Sequence, residues 1–333
     1  MKNNKYNAVI TGLGMYVPDK ILDNAYFEKI VDTSDEWITT RTGIKERRLL
    51  ENGATSDLAT GAAKNLMNNY NISPDDIDCI IVATVTPDMF FPATACIVQN
   101  NIGAKNAWGF DLSAACSGFL FAFQTGCSLV ESGQYKKVLV IGADKMSSIV
   151  DYSDRNNCIL FGDAGAAVLL EPTEDKNLGL IDSILRIDGS GQETLHMKGG
   201  GSLNPPSHET VDKKMHFLYQ DGKAVFKVAV KGMADVSYEI MQKNNLKSED
   251  VAYLVPHQAN LRIIDATAER MGLKKERVMK NIDRYGNTTA ATIPLCLVDY
   301  YRAGKLKKGD NLVFAAFGAG YTWGASYVVW GMD

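Results

Sequence analysis

Phe110-Asp111-Leu112-Ser113-Ala114-Ala115-Cys116-Ser117-Gly118-Phe119 is the stretch that decides how this chain is read. An apolar strand over 107–112 gives way to small residues, and an almost wholly apolar helix follows over 118–132. A helix without a polar face is covered on all sides, which puts it in the middle of the molecule. Cys116 then lies at that helix's N-terminus. Free N–H groups and the positive end of the dipole favour a thiolate there. The bland alternative is a buried core cysteine. The small neighbours Ala114, Ala115, Ser117 and Gly118 argue against it, because they leave room for a bulky group on sulfur.

Outward from this point, strands and helices alternate. Residues 8–14 read as a strand ending in a glycine turn, 23–31 and 34–38 as short helices, and 57–70 as a helix with Leu58, Ala62 and Leu66 on one face. The continuous apolar run 77–84 reads as a strand covered on both faces. A helix at 92–102 and strands at 137–142 and 165–170 complete the first half. The second half repeats the plan, with strands at 180–187, 251–256, 311–316 and 325–330 and helices at 223–244, 260–271 and 289–301. Alternation of this kind predicts an α/β protein with parallel sheets and helices on both faces. It also predicts a duplicated α/β unit divided near 172–178, giving halves 1–174 and 175–333. The Gly- and Pro-rich segment 188–220 has no periodicity. It is either a surface loop or a wall of the substrate pocket.

Composition narrows the function classes. The net charge of −4 supplies no general basic field for nucleic acid. No stretch of eighteen uninterrupted apolar residues exists, so no membrane span is expected, and the first residues do not read as a leader peptide. The cysteines at 79, 96, 116, 127, 158 and 296 form no CxxC pair, which argues against a metal site or a redox dithiol. Apart from Cys116 they read as small buried hydrophobes in a reducing cytoplasm.

Two further segments complement a nucleophilic cysteine: Pro256-His257-Gln258-Ala259-Asn260 and Tyr285-Gly286-Asn287-Thr288-Thr289-Ala290-Ala291. His257 follows a strand, at the end where α/β sheets place their sites. Asn287 precedes a helix. Taken singly, a histidine is more often a structural hydrogen bonder and an asparagine a turn or N-cap residue. Taken together, a neutral imidazole and a carboxamide can both donate to one oxygen, and that arrangement stabilises an enolate. Loss of CO2 from a malonyl thioester needs this, whereas a Cys-His-carboxylate set would suit hydrolysis. Residues 317–324 (Phe-Gly-Ala-Gly-Tyr-Thr-Trp-Gly) read both as a tight hairpin and as backbone N–H groups for an oxyanion hole beside Cys116. Trp37 and Arg41 form an aromatic–basic pair suited to a nucleotide, or an ordinary surface helix turn.

In order along the chain, Asp35-Glu36-Trp37-Ile38 with Arg41-Thr42-Gly43-Ile44, the Cys116 turn, 257–262, 286–291 and 317–324 resemble the signatures of the β-ketoacyl-[acyl carrier protein] synthase III family. The resemblance spans nearly the whole chain. It implies a thiolase-like fold of five layers, αβαβα, and the initiating condensing acyltransferase activity of type II fatty acid synthesis. By the same resemblance Cys116 carries the acyl group, His257 and Asn287 drive decarboxylation, and the N–H groups of Cys116 and Ala319 form the oxyanion hole. Ala319 stands where the family often has Gly, and Thr289 where Ser is more usual. Trp37 and Arg155 would sandwich the coenzyme A adenine, with Thr33, Arg41 and Asn260 nearby. Arg262 and, more weakly, Lys227 would meet the acyl carrier protein, and Phe91 would border the acyl pocket of a partner in a homodimer. Acyl-CoA and malonyl-[acyl carrier protein] are implied as substrates, with no cofactor. The primer is left open between acetyl and a short branched acyl group. Rival readings are a synthase III-like enzyme acylating oxygen or nitrogen or building specialised starters, a non-catalytic subunit of the same fold, and a Cys-His hydrolase.

Overall fold

The computed structural model describes residues 5–333. Its first sheet is built from β1 (Asn7–Tyr16), β2 (Cys79–Ala83), β3 (Trp108–Leu112), β4 (Val138–Asp144) and β5 (Ala164–Thr173), in the order β1-β5-β4-β2-β3. The intervening helices are α1 (Thr55–Tyr70), α2 (Thr94–Ile102) and α3 (Gly118–Glu131). The second sheet takes β6 (Gly179–Ile187), β7 (Tyr253–Pro256), β8 (Asn311–Gly318) and β9 (Thr322–Val329), in the order β7-β8-β9-β6. Its helices are α4 (Gly222–Lys243), α5 (Leu261–Arg270) and α6 (Thr292–Arg302).

Apolar patterning sorts these elements into layers. Leu58, Ala62 and Leu66 of α1 and Val98 of α2 pack on Ile80, Val82 and Leu139 of the first sheet. The opposite face of that sheet meets α3 through Phe119, Phe123 and Cys127, and α3 with α6 then meets Leu312, Phe314 and Ala316 of the second sheet. The Phe123 and Phe314 rings meet at 5.5 Å between centroids, tilted by 57°, across this middle layer. Met233, Val236 and Ile240 of α4 and Ile264 of α5 cover the far face. The order is therefore helix, sheet, helix, sheet, helix, with α3 enclosed as its apolar sequence requires.

The two sheets have matching topology. In the first, β1 and β5 are antiparallel, β5 and β4 antiparallel, and β4 and β2 parallel. In the second, β6 and β9, β9 and β8, and β8 and β7 follow the same sequence of directions. The fifth position, held by β3 in the first sheet, shrinks in the second to a single parallel bridge between Leu254 and Val278.

Several expectations need correction. The sheets are mixed, not parallel throughout. β5 and β9 each return without a crossover helix, through 145–163 and through the short 319–321 turn, and such returns run antiparallel. β1 does not stop at a glycine turn but runs on to Tyr16. Gly14 stays within the strand because α1 lies against it, so close that a Cβ there would be 2.3 Å from the Ala62 carbonyl oxygen. An antiparallel ribbon, Lys20–Asp23 with Glu46–Leu49, went unforeseen. The helix expected at 34–38 spans Asp35–Thr42, and the one expected at 289–301 begins as a tight turn at Thr289–Ala291 before α6. Cys96 is exposed, unlike Cys79, Cys127, Cys158 and Cys296. On α2 the buried stripe is Thr94, Ala95, Val98 and Ile102, and residue 96 falls off it.

Candidate active site

One cavity of about 730 Å³ brings together most of the residues singled out in the sequence. Cys116, His257, Asn287 and Ala319 line it, and so do Trp37, Arg41, Asn260 and Arg262. Leu195, His196, Met197, Leu218 and Gln220 also line it, so the irregular 188–220 segment is a pocket wall. It is pinned to the turn after β8: the Asp188 and Tyr321 backbones exchange both hydrogen bonds, and Tyr321 Oη meets Thr194 Oγ1 at 2.5 Å.

Cys116 lies in a tight turn, Ala115–Ser117, immediately before α3. Ala115 adopts φ 49°, a conformation that turns the chain sharply out of β3. Two hydrogen bonds clasp this turn to the start of β9: Ser117 Oγ donates to the Thr322 carbonyl at 3.0 Å, and Thr322 Oγ1 donates to the Ala114 carbonyl at 2.9 Å. Gly318 fits beneath. A Cβ on it would be 2.7 Å from the Cys116 nitrogen.

The thiol is not the ready thiolate that its helix position led us to expect. Burial pushes Cys116 up to about 12, and the nearby Asp144 carboxylate adds to the rise. Its own backbone N–H and the Asn287 carboxamide act in the opposite direction without overcoming it. Enclosure of this kind favours the neutral S–H at rest. Stabilisation by the helix N-terminus therefore acts on charge that develops during reaction.

His257 extends the β7–β8 ladder, its backbone N–H donating to the Ala315 carbonyl at 2.7 Å. The ring is 2% exposed, and burial alone drives it down to about 3, so it is a neutral imidazole. Nδ1 lies 2.7 Å from Thr292 Oγ1, while Nε2 is buried without a partner among the described residues. Asn287 is held by backbone bonds to Leu160 and Gly162, and its Oδ1 accepts from the Thr289 N–H at 2.9 Å. With the oxygen so occupied, the amide nitrogen faces the thiol. Thr289 itself takes φ 53°, repeating at the entrance to α6 the sharp turn that Ala115 makes before α3.

Ala319 is compatible with its expected position. The positive φ of this turn, 136°, falls on Gly320 and not on Ala319. An alanine there keeps its N–H without backbone strain.

The guanidiniums of Arg41 and Arg155 lie 4.7 and 5.0 Å from the Trp37 ring centroid. Arg155 thus rests on the indole itself, with a 3.3 Å contact to Asp32, and leaves no gap for an adenine. Such a sandwich needs the Arg155 side chain to swing outward. Thr33, Arg155, Lys227 and Phe91 are not in the cavity wall. Phe91 is 84% exposed, and Lys227 is exposed on α4. Arg262 stacks on Phe226 at 4.6 Å.

Sequence reasoning missed Lys223, Phe226 and Met233 in the wall. It also missed Asp144, a buried carboxylate raised to about 6 by burial. Asp144 accepts from Thr84 Oγ1, the Val85 N–H and the Ala290 N–H at 2.9, 2.8 and 3.2 Å, tying β2, β4 and the Asn287 turn together. An acidic residue ending an otherwise apolar strand was the available signal. Among the described residues no group of side chains is arranged to hold a metal ion, and no helix is long and apolar enough to cross a membrane.

Comparison with known proteins agrees with this geometry. Residues 110–189 match the model of 3-oxoacyl-[acyl-carrier-protein (ACP)] synthase III, and residues 241–330 match the model of its C-terminal part. The chain is 60% identical over 326 residues to the β-ketoacyl-[acyl-carrier-protein] synthase III of Chlorobaculum tepidum, covering 97% of this chain and 99% of that one. It is 56% identical over 331 residues to synthase III 2 of Bacteroides thetaiotaomicron, covering 99% and 98%. The crystal structure of the Aquifex aeolicus VF5 synthase III superposes with a TM-score of 0.90 at 44% identity, over 97% of this chain and all of that one. With its thiolase-like layers and its cysteine, imidazole and carboxamide gathered in one cavity, the chain belongs to the 3-oxoacyl-[acyl-carrier-protein] synthase III family of condensing acyltransferases.

Proposed function

We propose that this initiating condensing enzyme of fatty acid synthesis works through Cys116, His257 and Asn287 in two half-reactions. In the first, Cys116 Sγ attacks the carbonyl of a short acyl-CoA. The carbon–sulfur bond to coenzyme A breaks, the acyl group stays on Cys116, and the thiol proton leaves with the coenzyme. The N–H groups of Cys116 and Ala319 hold the oxyanion. In the second, malonyl-[acyl carrier protein] loses CO2. Its electron pair becomes an enolate whose oxygen receives hydrogen bonds from His257 Nε2 and Asn287 Nδ2. The enolate carbon then attacks the acyl-enzyme carbonyl, the bond to Sγ breaks, and the 3-oxoacyl product leaves a Cys116 thiolate that takes one proton from solvent to restore the thiol.

The observation that carries this reading is that one cavity is lined by the thiol, a neutral imidazole and an oriented carboxamide together with Trp37, Arg41 and Arg262. Trp37, Arg41, Arg155, Thr33 and Asn260 would bind coenzyme A. Arg262 and Lys227 would dock the acyl carrier protein. The reaction as written asks for no cofactor. The exposed run Met89, Phe90 and Phe91 and the open edge of β3 support a homodimer, in which Phe91 would reach the partner's acyl pocket. Halves of 1–174 and 175–333 follow from the two sheets, the first carrying the nucleophile and the second His257 and Asn287. Six free cysteines fit a cytoplasmic location.

The test separates the half-reactions. Cys116→Ser should abolish the intact-mass shift produced by acetyl-CoA. Asn287→Ala should still acylate but lose CO2 release from malonyl-[acyl carrier protein] by about a hundredfold. Near wild-type product formation by both variants would overturn the assignment.

A further inference from the structure

The Thr292 hydroxyl has one hydrogen and two acceptors within reach. Oγ1 is 2.7 Å from His257 Nδ1 and 3.0 Å from the Thr289 carbonyl oxygen. A carbonyl can only accept, so the two contacts cannot both be donated. If the hydrogen goes to the carbonyl, Nδ1 must carry the ring's proton, and Nε2 is left as a bare lone pair. If it goes to Nδ1, the ring's proton sits on Nε2.

Two observations favour the second arrangement. The 2.7 Å contact has the length of a bond donated by a hydroxyl, whereas ring N–H donors settle nearer 2.9–3.0 Å. In either arrangement Nε2 is buried without a partner among the described residues. Asn287 is locked with its amide nitrogen towards the thiol, so a proton on Nε2 gives two donors converging where an oxyanion forms, and a lone pair there would repel it. Burial keeps the ring neutral, so there is only one proton to place.

We propose that Thr292 is a positioning residue: its hydroxyl donates to Nδ1 of His257 and thereby holds the ring's proton on Nε2, where malonyl decarboxylation uses it. This rests on the reading of His257 as an enolate donor. No proton is transferred in the step. The bond between the malonyl carboxylate and C2 breaks, its electron pair moves into the new C1–C2 double bond, the thioester oxygen takes the charge, and Nε2–H bonds to that oxygen. Thr292 is 2% exposed at the first position of α6, where its side chain meets the ring and not the substrate.

The experiment compares full-length wild type, Thr292→Val and Thr292→Ser. In 15N-histidine-labelled protein, with the His257 signals identified by their loss in His257→Ala, wild type and Thr292→Ser should show a protonated Nε2 and an unprotonated Nδ1. Thr292→Val should show a growing share of the other tautomer. CO2 release from malonyl-[acyl carrier protein] should fall about tenfold or more in Thr292→Val, acylation by acetyl-CoA should stay within about threefold, and Thr292→Ser should restore decarboxylation; a wrong tautomer at a catalytic histidine costs up to about 10⁴ in rate. A wild-type proton on Nδ1 would overturn the proposal, as would undiminished decarboxylation in Thr292→Val or equal loss of both half-reactions. His257→Ala separates the two levels. If it decarboxylates normally, the underlying role of His257 fails. If it does not while Thr292→Val does, only the role of Thr292 fails.

Discussion

Gly318→Ala probes how tightly the nucleophile is held. Gly318 has an ordinary backbone conformation, so alanine is limited there by space alone. Its Cβ would lie 2.7 Å from the Cys116 nitrogen and 3.0 Å from the Ser117 nitrogen. Ordinary contact begins at 3.4 Å, so the first approach is about 0.7 Å too close. Neither atom yields alone, because Ser117 Oγ and Thr322 Oγ1 clasp the turn from both sides. The turn must shift as a unit and take the Cys116 N–H with it. A displacement approaching 1 Å at a reacting group costs about a hundredfold, comparable to losing one oxyanion donor, or about 2.7 kcal/mol. Overpacking should also cost about 1–3 kcal/mol of stability. The assay is single-turnover acylation by acetyl-CoA followed by intact mass, with thermal unfolding measured in parallel. Gly201→Ala, where nothing lies within 4 Å of the added methyl, is the control. Acylation of Gly318→Ala within about threefold of wild type, at an unchanged Tm, would refute the reasoning.

Three further outcomes follow from the site. With Cys116 pushed up to about 12, alkylation by iodoacetamide should rise about tenfold per pH unit between 7 and 10 without levelling off. Asp144→Asn removes a negative charge that disfavours the thiolate, so the variant should react faster at each pH; a wild-type plateau below pH 9 would contradict the role of burial. Trp37→Ala should raise KM for acetyl-CoA about tenfold, equivalent to about 1.4 kcal/mol of stacking, with kcat little changed. An acetyl-pantetheine substrate without adenine should not register the substitution, and an equal rise in KM for both substrates would remove Trp37 from the nucleotide site.

Much of this architecture was legible because it depends on local patterning. The apolar face of α1, the continuous run at β2 and the enclosed helix α3 declared themselves through period and composition. Cys116 and His257 could be read because each stands between a strand and a helix; Asn287 follows the short helix Ile282–Tyr285 and was legible from its place before α6. What could not be read depends on distance in space. Strand direction at β5 and β9 is set by whether a return carries a helix, and the continuation of β1 through Gly14 depends on how closely α1 approaches. A helix N-terminus near Cys116 is visible in sequence, whereas enclosure and a carboxylate twenty-eight residues away, which push the thiol the other way, are not. Thr292 and Asp144 act through neighbours that only the folded chain supplies.

The matching sharp turns at Ala115 and Thr289 lead into α3 and α6, and the two helix entrances abut: a methyl built on Gly118 would lie 3.7 Å from that of Ala290. Two helices of the central layer therefore aim their electropositive ends at a single spot. Fixed dipoles of this kind carry no counter-ion and need no reorientation as charge appears. Duplication of one α/β unit has in this way assembled, from backbone alone, a field that favours anionic intermediates. A lone copy of the unit would supply only half of it.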